Sequence, residues 1–74
     1  MREYRVIDCR SIVITPEHTI SAASPEQAVA DALGLKVIRG GPSRNLVARV
    51  YWDERGMTNM VRLYVASDGQ RNGV

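Results

Sequence analysis

Several absences narrow this sequence before any motif is sought. Cys9 is the only cysteine among 74 residues. An internal disulfide is therefore impossible and a cysteine-based zinc site has too few ligands. His18 is the only histidine, and it falls in an expected turn. No apolar run is long enough to span a bilayer, and no secretory leader is recognisable. A reducing cytoplasm is the expected compartment. The net charge is only +2, so the chain is neither a polyanionic nucleic-acid mimic nor a strongly basic nucleic-acid binder. Lys36 is the sole lysine, and the other basic side chains are arginines. Arginine suits planar, bidentate contacts to carboxylate or phosphate. A chain this short makes one domain with a modest core.

What is present is mostly alternation. Leu46–Trp52 and Met57–Val65 read as the two arms of a long β-hairpin, because residues of like character recur at every second position. Leu46, Ala48, Val50 and Trp52 share one face with Met57, Asn59, Val61, Leu63 and Val65. Val47, Arg49 and Tyr51 share the other with Thr58, Met60, Arg62 and Tyr64. Asp53-Glu54-Arg55-Gly56 has the residues that a type I turn prefers at its ends. Closure about Glu54–Arg55 pairs Leu46 with Leu63, Ala48 with Val61 and Val47 with Arg62.

Upstream, Glu3–Thr15 reads as one long strand or two joined by a bulge, with apolar residues of both parities: Tyr4, Val6, Ile12 and Ile14 on one face, Ile7, Cys9 and Val13 on the other. Thr15-Pro16-Glu17-His18 has the makings of a turn, with Thr19–Ala23 returning so that Val13 faces Ile20 and Ser11 faces Ala22. Ser24-Pro25-Glu26-Gln27 is the sharpest local signal. Ser24 caps a helix, Pro25 fits its first position, Glu26 suits the positive end of the dipole and Gln27 completes a capping box. The helix should run to Leu33 and stop at Gly34. Its apolar stripe is Ala28, Val29, Ala32 and Leu33. A short strand over Leu35–Arg39 and a loop over Gly40–Ser43 lead into the hairpin. Residues 67–74 are polar and read as a disordered tail.

The expected fold is therefore α+β, ββαβββ, in a single domain over 1–66. A five-stranded, mainly antiparallel sheet carries one short helix on one face. One helix of two to three turns cannot cover both faces, so the face bearing Val47, Tyr51, Met60 and Tyr64, with Ile12 and Ile14, is left as a candidate interaction surface.

Catalytic readings fare poorly. His18 in a turn has no orienting partner of the kind a nucleophilic site requires. Cys9 in a strand reads as a small apolar residue. Asp8, alone in mid-strand, is expected to pair with Arg10 or a cross-strand arginine. Gly40-Gly41 lacks the lysine and following helix of a phosphate-binding loop. No cofactor or metal is implied, and no enzyme activity is expected. The candidate binding residues are Arg49, Tyr51, Met60, Arg62 and Tyr64, with Arg39 and Arg44 at the rim. Arginine and tyrosine anchor many protein interfaces. They also build single-strand nucleic-acid platforms, although the aromatic signature of an RNA-recognition motif is absent. A third possibility is self-association through the apolar outer face, and the chain is expected to be a monomer or weak homodimer.

The lead into the helix, Ile20-Ser21-Ala22-Ala23-Ser24-Pro25-Glu26-Gln27-Ala28, within a ββαβββ order, resembles several small phage-encoded proteins. Among them are type I anti-CRISPR proteins of sheet-plus-helix architecture. The resemblance implies a stoichiometric inhibitor in the host bacterial cytoplasm. Such a protein docks on a CRISPR surveillance complex such as Cascade and blocks its DNA binding. It assigns no functional residue to this chain.

Overall fold

A computed structural model describes residues 1–10 and 17–66. The expected strand residues Ile12, Val13 and Ile14, the turn at Pro16 and the tail over 67–74 lie outside the described residues. The fold is α+β: five antiparallel strands in a curled sheet with one helix, in the order ββαβββ. The strands are β1 (Arg2–Asp8), β2 (His18–Ala22), β3 (Val37–Ile38), β4 (Leu46–Glu54) and β5 (Met57–Val65), and the helix is α1 (Pro25–Leu33). A single 3-10 turn, Ser43–Asn45, leads into β4.

The sheet order is β2-β1-β4-β5-β3. The two strands flanking α1 in sequence therefore lie at opposite edges. The connection through α1 must cross the whole sheet, and the curl of the sheet lets nine helical residues serve four strands, with α1 touching β1, β2, β3 and β4. Ala22, Ala28 and Ala48 are all but sealed from solvent, so small side chains on both layers permit the close approach. Tyr4, Val6, Val29, Val37, Val47, Val50 and Leu63 complete the core. Tyr4 meets Trp52 edge-on, with ring centroids 5.5 Å apart, a favoured aromatic geometry.

The helix begins and ends where its capping residues require. Ser24 Oγ accepts from the Gln27 N–H at 3.1 Å. Gly34 adopts φ 71°, in the left-handed region, and returns its N–H to the Ala30 carbonyl. The capping box is only half made, because the Gln27 side chain donates to Asp31 at 2.8 Å. That acceptor lies one turn further along the same helix face.

Three expectations are corrected. First, β2 pairs with the start of β1, so that Tyr4, not Val13, stands opposite Ile20 and Arg2 opposite Ala22. His18 accordingly lies in β2, opposite Val6. Second, the long hairpin turns on two residues, Arg55 and Gly56, both at positive φ (54° and 78°). This is the signature of a type I′ turn, whose twist matches that of the strands. The register therefore moves by two residues, pairing Ala48 with Leu63, Val50 with Val61 and Arg49 with Arg62. An even shift preserves side-chain parity, so from Ala48 onward the two faces remain as expected. Third, the ladder is irregular between Leu46 and Ala48. A bulge there adds one residue and breaks the alternation. Val47 joins the core at 7% exposure, whereas Leu46 lies opposite Tyr64 and outside the core cluster.

Candidate functional site

The face of the sheet turned away from α1 follows from parity. On β1, Tyr4 and Val6 are buried, so Arg5 and Ile7 face outward; on β4 and β5 the outward residues are Arg49 and Tyr51, and Met60, Arg62 and Tyr64. The register sets them in rows. Ile7, Arg49 and Arg62 form one, and Arg5, Tyr51 and Met60 the next. Tyr64 stands between Leu46 and Ile38. Five of the expected binding residues therefore share one surface. Ile7 and Ile38 join them from β1 and β3. The parity of β1 was readable for Ile7. Ile38, 46% exposed, sits on a strand too short for alternation to orient it.

The centre of this surface is a pair of like charges. In a hairpin with a two-residue turn, the closing pair Glu54–Met57 is hydrogen-bonded, and alternation makes Arg49–Arg62 a non-hydrogen-bonded pair. The Cα atoms of such a pair approach to about 4.5 Å and their side chains lie closest. Like charges directly opposite are destabilising. Neither arginine has a carboxylate partner among the described residues. The Arg49 guanidinium is held above the ordinary arginine range first by the neighbouring Cys9 sulfur and then by Tyr51. Arg62 makes no hydrogen bond or ion pair with the described residues, and both side chains are exposed. Tyr51 and Tyr64 are half-buried, and Met60 is 37% exposed.

The other arginines contrast with these two. Arg5 reaches Asp53 through both terminal nitrogens, at 3.0 and 3.4 Å. This contact, with a bond from the Thr58 hydroxyl, lowers the Asp53 carboxyl pKa. Arg2 donates to Glu54 at 2.6 Å. Arg10 clamps Asp8 through its side chain and its own backbone N–H. This clamp holds the Asp8 carboxyl down to about 2 and answers the expectation of an arginine partner. Arg39 departs from its expected place at the rim. It binds Glu26 of the helix at 2.6 and 3.3 Å, because β3 places Ile38 outward and the next residue toward α1. Arg44 lies exposed in the 3-10 turn before β4, with no ion-pair partner among the described residues.

Gly41 forms part of this surface's border. A Cβ there would come within 3.3 Å of the Tyr64 Cβ, so the loop lies directly against that tyrosine. On the helix side, a groove of about 520 Å³ runs between α1 and the segment Gly34–Val37. Its polar groups are largely committed: Ser24 to the cap, Gln27 to Asp31 and Glu26 to Arg39. The Trp52 indole N–H is sealed from solvent without an acceptor at hydrogen-bonding geometry. The nearby Glu54 carboxylate is held below its usual range chiefly by Arg2. No group of three potential metal ligands occurs among the described residues. No helix among them is long and apolar enough to cross a membrane.

No protein-family model matches the chain, and comparison with curated proteins and with solved structures finds no match. Fold and surface together describe a one-helix, five-stranded α+β domain with an arginine–tyrosine sheet face.

Proposed function

We propose that the chain is a small non-enzymatic binding protein whose open sheet face docks on an acidic surface of a protein partner. The observation that carries this reading is the Arg49–Arg62 pair. Two arginines stand directly opposite each other on paired strands, at the closest backbone spacing a sheet allows, while four of the chain's other arginines are matched to carboxylates. A carboxylate lying between the pair would remove the repulsion and accept bonds from both. Tyr51, Met60 and Tyr64 supply the apolar surroundings that interface anchors need.

A protein partner is favoured over nucleic acid by two local features. Asp53 is already matched to Arg5 on the same face, so among the described residues of that face only Arg49 and Arg62 are unmatched cations, too few to track a phosphate backbone. Gly41 lies against Tyr64 and restricts access for a stacking base. The resemblance to small phage-encoded type I anti-CRISPR proteins supplies the partner class. On this reading the chain inhibits a bacterial surveillance complex by occlusion or by engaging its acidic residues, since a net charge of +2 cannot imitate DNA.

The test is phage plaquing on strains with active type I CRISPR immunity and a matching spacer. Expression of the wild-type chain should restore plaquing by several orders of magnitude, and the Arg49→Glu/Arg62→Glu variant should not. Unaltered immunity with a well-expressed wild-type chain across type I subtypes would refute the inhibitor reading. If binding is instead to nucleic acid, single- or double-stranded DNA or RNA should retain the chain at low salt and release it steeply as salt rises.

A further inference from the structure

Strand β5 is paired with β4 along its whole length, but on its other side β3 reaches only Tyr64 and Val65. Among the described residues, nothing pairs with that side over 57–63. The hydrogen-bonding alternation fixed by the two-residue turn directs the backbone groups of Met57, Asn59, Val61 and Leu63 toward β4. Thr58, Met60 and Arg62 then present three N–H donors and three C=O acceptors at the open edge. Natural sheets blunt such edges with proline, lysine, an inward-pointing charge or a bulge. This stretch has none of them, and its one charge, Arg62, belongs to the outer face. The sheet's other edge, β2, is five residues long and mostly polar.

We infer that the open edge of β5 pairs antiparallel with the same edge of a second copy of this chain, about a twofold axis passing through Asn59. The register is self-complementary. Thr58 and Met60 of one copy form hydrogen-bonded pairs with Met60 and Thr58 of the other. Asn59 meets its own mate as a closely spaced, non-hydrogen-bonded pair. Asn59 is half-buried, and its side chain makes no hydrogen bond with the described residues. Its amide carries both donors and an acceptor, so two copies satisfy one another. Met57, 69% exposed, falls opposite Val61. Arg62 falls opposite Gly56, so no like charges face each other across the junction. Moving the axis one residue on, to Met60, would drive the Arg55-Gly56 turn into the place that Ile38 occupies beside Tyr64.

The axis stands perpendicular to the sheet, so both outer faces lie on one side of a continuous ten-stranded sheet. The two Arg49–Arg62 pairs are then displayed together. The pairing stands whether or not that face binds a partner.

Analytical ultracentrifugation of the full chain tests it. The apparent mass should rise with concentration toward twice 8.2 kDa. Met60→Pro removes an N–H that serves only the open edge and should hold the mass at the monomer value with an unchanged circular dichroism spectrum. If proline unfolds the strand, Thr58→Lys with Met60→Lys places four lysines at the junction and should give the same monomer. The register is read by mild oxidation in a Cys9→Ser background. Asn59→Cys should crosslink two copies at least about tenfold faster than Val61→Cys, because the close pair meets disulfide geometry. A wild-type chain that stays monomeric up to about millimolar concentration, a dimer indifferent to the edge substitutions, or equal crosslinking at both positions would overturn the proposal.

Discussion

Truncating Val47 or Leu46 to alanine separates the bulged β4 from a regularly alternating one. On a regular strand, Leu46 belongs to the core and Val47 to the outer face, and Leu46→Ala is the costly change. With the bulge the order reverses. Val47 is 7% exposed and part of the core, whereas Leu46 lies outside the core beside Tyr64. Val47→Ala removes two buried carbons at about 0.8 kcal/mol each. The residual cavity brings the loss to about 2 kcal/mol. Leu46→Ala should cost under about 1 kcal/mol, as befits a half-buried residue with solvent on one side. A domain of this size has roughly 3–10 kcal/mol of stability, so both variants remain folded enough to measure. In urea, with a slope of about 1 kcal/mol per molar, the Val47→Ala midpoint should fall by about 2 M and the Leu46→Ala midpoint by less than about half that. A larger loss for Leu46→Ala would refute the bulge. It would also return Val47 to the outer face and redraw the border of the candidate site near Tyr64.

Further outcomes follow from the local chemistry. Asp8, whose carboxyl is held down to about 2 from 3.8 by Arg10, stabilises the fold above its unfolded pKa. It loses that contribution as pH falls from about 3.8 toward 2. Asp8→Asn should therefore lower stability by about 1 kcal/mol at pH 7, and the difference should vanish in chemical denaturation near pH 2. Arg55 holds φ 54°, a conformation asparagine tolerates better in a type I′ turn. Arg55→Asn should raise stability by about 0.5–1 kcal/mol, read from the thermal midpoint. Arg49→Glu/Arg62→Glu should leave the circular dichroism spectrum unchanged and replace like-charge repulsion with repulsion of the opposite sign, so the thermal midpoint should barely move.

The elements easiest to read were those whose signal is local. Ser24, Pro25 and Gly34 mark the helix because capping depends on a few neighbouring atoms. The two faces of the long hairpin survived a misplaced turn because the pairing error was even. The turn itself was misread because Asp53-Glu54-Arg55-Gly56 satisfies type I preferences, whereas strand twist selects the two-residue solution at Arg55-Gly56. The pairing of β2 was hidden because Pro16, a strong turn former, suggests Val13 opposite Ile20, whereas Tyr4 takes that place. The bulge at Val47 has no sequence signature, whereas the bond from Gln27 to Asp31 follows an i,i+4 spacing within α1 that competes with the capping box. Within the candidate site, Arg49, Tyr51, Met60, Arg62 and Tyr64 were recoverable from parity. Arg39 was not, because its direction depends on a two-residue strand and on a helix glutamate thirteen positions away.

Inhibition through the proposed docking of the Arg49–Arg62 face on an acidic protein surface is read from the binding of labelled target DNA to a purified type I surveillance complex as this chain is titrated in. The wild-type chain should abolish DNA binding stoichiometrically, and the folded Arg49→Glu/Arg62→Glu variant should show an apparent affinity at least about a hundredfold weaker. Equal inhibition by both proteins would contradict the assignment of the face, and DNA binding unaffected by either would contradict the proposed function.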